Sequence, residues 1–398
     1  MSAEVRRARV AVTIAFATNG ALPATLLARY AEVKDLLALS DATFGLLVAG
    51  YAVGAAAALN LPGIVLRRIG TRATTTAGTA WVAAGLFLAT LGVSAGNVWL
   101  VLAGLALAGW ADAIVDVAQN AQGLAVQAAR GSSVLNSMHA GWSVGAAAGG
   151  VVGTLAATAA VPLPVHLGGW GLACVAAMTL AGRAFLPDRS TAGGAGTGRG
   201  EGSGDAPARA SRRPNWFSLR LLLPLGLLAL AGVSVEDVGN NWSAVLLATE
   251  RGVALGSAGI GLSALLIAQF IGRILGDRFV DRVGEHTALM TSLIGMIAGL
   301  LLLAWVPSAT LTVAGLALAG LSSAITIPLA FARADQVPGL RPHSGVTWIA
   351  LSIRVTAIGL SPAIGAMSSA SSLPLAITVV TAASVLALVA QIARRPRP

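Results

Sequence analysis

Charge is what this chain lacks most. Of its 398 residues, 11% are Asp, Glu, Lys or Arg, against 56% hydrophobic. Soluble globular chains carry about 25% charged residues, so the supply here is too small for a water-facing skin. A mean hydropathy of +0.79 implies that lipid replaces water around most of the surface. Cysteine is nearly absent too. Cys174 stands alone, which excludes an intramolecular disulfide and a C-x-x-C site, and in its apolar run it reads as packing. The four histidines, His139, His166, His286 and His343, are scattered without metal-ligand spacing. No nucleophile–base pair or metal constellation appears, so the chain is not read as an enzyme, and neither cofactor nor metal is expected. Lysine occurs once, at Lys34, and arginine supplies the rest of the basic charge behind the net +10. In a soluble protein that excess would suggest nucleic acid; here its positions explain it better, and no nucleic-acid partner is expected.

What the chain has is apolar runs. A bilayer core of about 30 Å takes roughly 20 apolar residues as helix. Twelve such runs stand at about 10–30, 42–63, 74–94, 98–120, 134–158, 164–186, 218–245, 255–276, 287–306, 309–331, 345–367 and 372–392. Val10 to Leu27 is too long for the apolar region of a cleavable leader. The Gly/Ser/Arg-rich stretch between the sixth and seventh runs cannot bury a core and reads as a flexible linker. The expected organisation is an N-terminal six-helix bundle at 1–186, a cytoplasmic linker at 187–216 and a C-terminal six-helix bundle at 217–398. Arginine and lysine set the orientation. With the N-terminus inside, all the basic residues but Arg29, Lys34, Arg251 and Arg354 fall on the cytoplasmic side. A multi-pass protein of the bacterial cytoplasmic membrane, with both termini cytoplasmic, is expected.

The two halves also resemble each other. "RRIGTR" at 67–72 matches "DRVGEH" at 281–286, and "GAAAGG" at 145–150 matches "SPAIGA" at 361–366, at offsets of 214 and 216. Six plus six spans around a cytoplasmic linker is a secondary-transporter arrangement, with a site between the halves. In these features the chain resembles the major facilitator superfamily. Within it, "RYAEVKDLLALSDATFGLL", "DVAQNAQG", "LNSMHAGWSVGAAAG", "VEDVGNNWSA" and "GRILGDR" resemble a bacterial branch near the fucose-permease-like sugar transporters. The resemblance implies an all-α membrane fold of twelve transmembrane helices in two six-helix pseudo-repeats. It departs from the superfamily at Arg67, where an Asp is usual, and at Ala146, where drug antiporters carry proline. Gln127 and Asn241 stand where the branch carries acids.

An ionisable group at mid-bilayer costs roughly 2.5–3.5 kcal/mol, so each one needs a partner, water or a protonation role. Asp112, Asp116 and Gln119 follow i, i+4, i+7 in span four, one helix face. Asp116 reads either as a cytoplasmic clamp on an arginine such as Arg72 or Arg130, or as part of the site. Arg354, deep in span eleven, reads as an internal ion pair or as an anchor for an anionic solute. By the repeat offset it lies opposite His139. Asn19, followed by Gly20 and Pro23, suits a solute hydroxyl or a kink. Glu236, Asp237, Asn240 and Trp242 crowd span seven, where helical spacing groups Glu236, Asn240 and Ser243 on one face. Arg68, Gly70, Arg72, Asp116, Arg273, Asp277, Arg278 and Asp281 read as the cytoplasmic gate. The glycine ladder Gly141, Gly145, Gly149 reads as a helix contact.

The expected function is secondary active transport of a small polar solute, such as a sugar or related metabolite, by alternating access and proton symport. Glu236 is the first candidate for the titrating acid and Asp112 the second. The expected partners are solute, protons and the bilayer, with the chain as a monomer. Proton-driven efflux of drugs or metabolites is the alternative, and a non-transporting membrane sensor comes third.

Overall fold

The computed structural model describes residues 2–131, 135–188, 216–337 and 344–393. The first half comprises α1 (Ala3–Leu27), α2 (Tyr30–Leu36), α3 (Asp41–Ala57), α4 (Pro62–Ser94), α5 (Val98–Arg130), α6 (Leu135–Thr158) and α7 (Leu163–Gly182). The second comprises α8 (Trp216–Asp237), α9 (Ser243–Arg251), α10 (Ile260–Val283), α11 (Glu285–Trp305), α12 (Ala309–Ser323), α13 (Thr326–Asp335), α14 (Ser344–Ala370) and α15 (Leu373–Ala393). Eleven helical segments among the described residues are long and apolar enough to cross a membrane, and α3 is a shorter apolar helix of 17 residues. The chain is a multi-pass, all-helical membrane protein. Apart from Pro187, Asp188 and Trp216, the expected linker lies outside the described residues.

Helix ends follow local chemistry. Ser40, Asn97 and Ser308 each cap a helix start by accepting from a backbone N–H three residues on. Gly131 and Gly252 close helix ends in the left-handed conformation.

Three spans depart from a plain helix. The second expected run, at 42–63, breaks between Ala57 and Pro62, because Pro62 suits a first turn and begins α4. Within α4, Gly70 sits at φ 78°, ψ 168° and turns the chain into the third span. The tenth run is split at Ala324–Ile325 between α12 and α13. The seventh is interrupted by a π-helical turn, Val238–Trp242, between α8 and α9.

Helices approach through small residues, since lipid gives no apolar driving force between them. The expected glycine ladder is a contact of α6 with α1: Gly141, Gly145, Gly149 and Gly153 lie against Thr13, Ala17, Ala21 and Thr25 in turn. The same device joins the halves, with Gly45 of α3 on the Ser361 carbonyl and Gly365 of α14 on that of Asp41.

Candidate functional site

A cavity of about 280 Å³ lies where α1, α3, α5, α6, α8, α10 and α14 converge. Its polar wall is Asn19, Tyr30, Tyr51, Asp112, Trp142, Glu236, Asp237, Asn240, Asn241 and Ser361. Pro23 in α1 has no N–H to give the Asn19 carbonyl, and Pro362 does the same to Ile358 beside Ser361.

Three acids line this cavity, and among the described residues two of them, Asp112 and Asp237, one from each half, are in no ion pair. Asp112 accepts from Asn19 Nδ2 at 2.5 Å. The buried Tyr51 hydroxyl lies beside it. Gln119 Nε2 spans from Asn19 Oδ1 (3.5 Å) to Asp116 Oδ1 (3.3 Å). Asp237, 8% exposed, accepts from Ser361 Oγ at 2.8 Å and from Asn241 Nδ2 at 3.0 Å. Ser361 Oγ in turn accepts from Asn241 Nδ2 at 3.0 Å and from Trp242 Nε1 at 3.2 Å.

Glu236 has a cation. Arg273 Nη2 lies 3.5 Å from its Oε1, which also accepts from Gln269 at 2.9 Å. Arg273 reaches across the halves as well: Nη1 donates to Ser143 at 2.7 Å, and the guanidinium stands 5.9 Å from the centroid of the Trp142 ring. Arg273, grouped from sequence with the gate, is thus a neighbour of the cavity.

The π turn explains the crowding in span seven. An i→i+5 turn adds a residue to the helix face, so Glu236, Asp237, Asn240 and Asn241 all line the cavity. Ser243, expected on the same face, donates back to the Gly239 carbonyl and is buried against Gly261 of α10. Trp242 is fully buried rather than a wall for solute, and it meets Phe44 edge-on at 5.3 Å, as Phe44 meets Tyr30 at 5.6 Å.

That aromatic stack closes one end. Beyond it Lys34 pairs with Asp41 at 3.0 Å, Asp41 accepts from Ser368, and the Ala42 N–H donates to Ser369 at 2.9 Å. Behind it, Arg29 is buried in a bidentate pair with Glu32 and donates to His166 Nδ1 at 3.1 Å. Sequence reasoning passed over Asp41 and Ser368, which lie 327 residues apart.

The opposite end is open. Asp116, His139 and Arg354 are exposed there. Arg354 shares a helix face with Ala357 and Ser361 of the cavity wall, two turns further out. His139 packs edge-on to Phe16 at 4.8 Å, one turn beyond Trp142. Among the described residues no ion pair joins Arg68, Arg72, Asp277, Arg278 or Asp281, all exposed. Gly70 instead meets Asp188, which accepts from Thr71 N at 2.9 Å and from Thr71 Oγ1 at 2.5 Å.

No protein-family model matches the chain. It is 29% identical over 379 residues to the uncharacterized transporter y4wD of Sinorhizobium fredii, across 93% of each chain. To an uncharacterized MFS-type transporter of Yersinia pestis it is 27% identical over 344 residues, 86% of this chain and 84% of that one. The solved D-xylose–proton symporter superposes at TM-score 0.71 and 13% identity, over 98% of this chain and 97% of the other. The fold is that of the major facilitator superfamily. The resemblance read from the sequence is borne out, and with it the all-helical fold. The fucose:proton symporter FucP of E. coli shares the superfamily fold at TM-score 0.53 and 16% identity, over 98% of each chain.

Proposed function

We infer that the chain is a secondary active transporter of the bacterial cytoplasmic membrane. It moves a small polar solute by alternating access, coupled to protons moving the same way. One observation carries this reading: a central cavity holds a cation-free acid from each half, with one end closed by contacts between the halves and the other open. With both termini cytoplasmic, the open end faces the cytoplasm. Pockets for small ligands start at about 300 Å³, and a volume near 280 Å³, at the bottom of that scale, favours a small solute of sugar size. The solved structures named as sugar–proton symporters share this fold, which supports the same class.

Asp237 is the proton carrier in this reading. The sequence ranks Glu236 first, but Arg273 and Gln269 already engage Glu236. Ser361 can donate to the Asp237 carboxylate or, with its hydroxyl rotated, accept from the carboxyl, so either protonation state keeps a hydrogen bond. Asp112 and Asn19 offer the solute its polar contacts, while Trp142 and Tyr51 supply ring faces. The chain works as a monomer, since site and gate come from one chain.

The apolar share of the wall, including Leu26, Leu27, Val48, Leu86 and Leu266, favours a second reading, proton-driven efflux. Reconstitution in lipid vesicles separates the two. Symport predicts solute accumulation when the solute side is made acidic; efflux predicts accumulation when the opposite side is. Movement independent of any proton gradient contradicts both.

A further inference from the structure

We propose that the transported solute carries a protonated amine and that Asp112 is its anchor. This deepens the transport reading and rests on it for the choice of cavity. Among the described residues three carboxylates line that cavity, Asp112, Glu236 and Asp237, and no Lys, Arg or His does. Glu236 has Arg273, and Asp237 has two donors in Ser361 and Asn241. Asp112 has only neutral neighbours, Asn19 Nδ2 and the Tyr51 hydroxyl.

The groups around Asp112 show the same lack of a cation. Gln119 is fully buried, and its Oε1 has no partner while its Nε2 is shared between Asn19 and Asp116. The buried Tyr51 hydroxyl stands on the cavity wall beside Asp112 and is a neutral donor that brings no compensating charge. The neighbourhood is therefore rich in acceptors and negative charge, and the donors beside Asp112 are neutral. An ammonium supplies the missing positive charge together with three N–H donors, whereas a hydroxyl supplies one donor and no charge. Tyr30, Tyr51 and Trp142 line the same space and give a cation ring faces to approach. Asp116, one helical turn toward the open end and exposed, extends the acidic face along the route in and raises the local concentration of cations.

The test is equilibrium binding to the purified full-length protein, using solutes matched except for the amine. Suitable sets are glucosamine with glucose and N-acetylglucosamine, glucamine with sorbitol, and putrescine with butane-1,4-diol. In at least one set the amine is expected to bind about tenfold or more tightly than its hydroxyl partner, the scale of a charge-assisted hydrogen bond. Asp112→Asn removes that preference and Asp112→Glu keeps it. A panel in which no amine is preferred overturns the proposal, as does a preference that survives Asp112→Asn. Should Asp112→Asn fail to fold, the wild-type comparison and Asp112→Glu still decide. Failure of the transport reading looks different: amines bind, but vesicles holding the protein move none of them. Transport confined to neutral solutes does the reverse.

Discussion

Lys34 Nζ lies 3.0 Å from Asp41 Oδ1, and the same Asp41 carboxylate accepts from Ser368 on α14. One acid thus joins the α2 end of the first half to the second half across the closed end. In alternating access these contacts must part when the cavity opens that way. A partly buried pair and a hydrogen bond contribute about 1 kcal/mol net. Asp41→Ala should therefore raise the population open at this end about fivefold. Labelling of Asn240→Cys by a membrane-impermeant thiol reagent from that side reads the change. Unaltered labelling would remove Asp41 from the gate.

Arg273 and Glu236 should behave as one unit. Arg273→Gln leaves the Glu236 charge with Gln269 alone, and Glu236→Gln leaves Arg273 with Ser143 and the Trp142 ring. Each single change should slow transport strongly, and the double change should be milder than the product of the two. A coupling of about 0.5–3 kcal/mol is expected for groups in contact. Strictly additive effects on transport rate would show that the pair does not act together.

At the Gly70 turn, Asp188 caps the third span through Thr71. Asp188→Ala should cost about 1 kcal/mol, the usual worth of such a cap, and Asp188→Asn should cost less. Thermal unfolding in detergent measures both; equal losses would mean that capping is not what Asp188 contributes.

The α1–α6 contact makes a sharper stability prediction. Gly145 lies on the backbone of Ala17 with no space for a side chain. Gly145→Val should destabilise by about 1–3 kcal/mol through overpacking, whereas the same change at Gly169, which faces open space, should have little effect on melting.

How much of this was legible in the sequence differs by kind of feature. Apolar run length located the spans, although α5 continues to Arg130, well past the expected end at 120, and an i, i+4 repeat announced the Gly141–Gly145–Gly149 ladder, because both depend on local spacing. The π turn at Val238–Trp242 carries no such period, so regular spacing put Ser243 on the face of Glu236 and Asn240 and left Asn241 off it. Glu236 ranked above Asp237 because the sequence shows depth but not partners, and Arg273 is 37 residues away from Glu236. The closed end escaped notice for the same reason. Asp41 opens a helix after a polar loop, and its partner Ser368 is an ordinary serine until the fold brings the two together.

Asp237→Asn tests the central claim most directly, with solute accumulation and solute exchange compared in the same vesicles. The asparagine keeps the shape and a partner for Ser361 but cannot carry a proton. The account predicts that exchange of solute across the membrane persists while accumulation driven by a proton gradient is lost. Gradient-driven accumulation at the wild-type level in Asp237→Asn would contradict it.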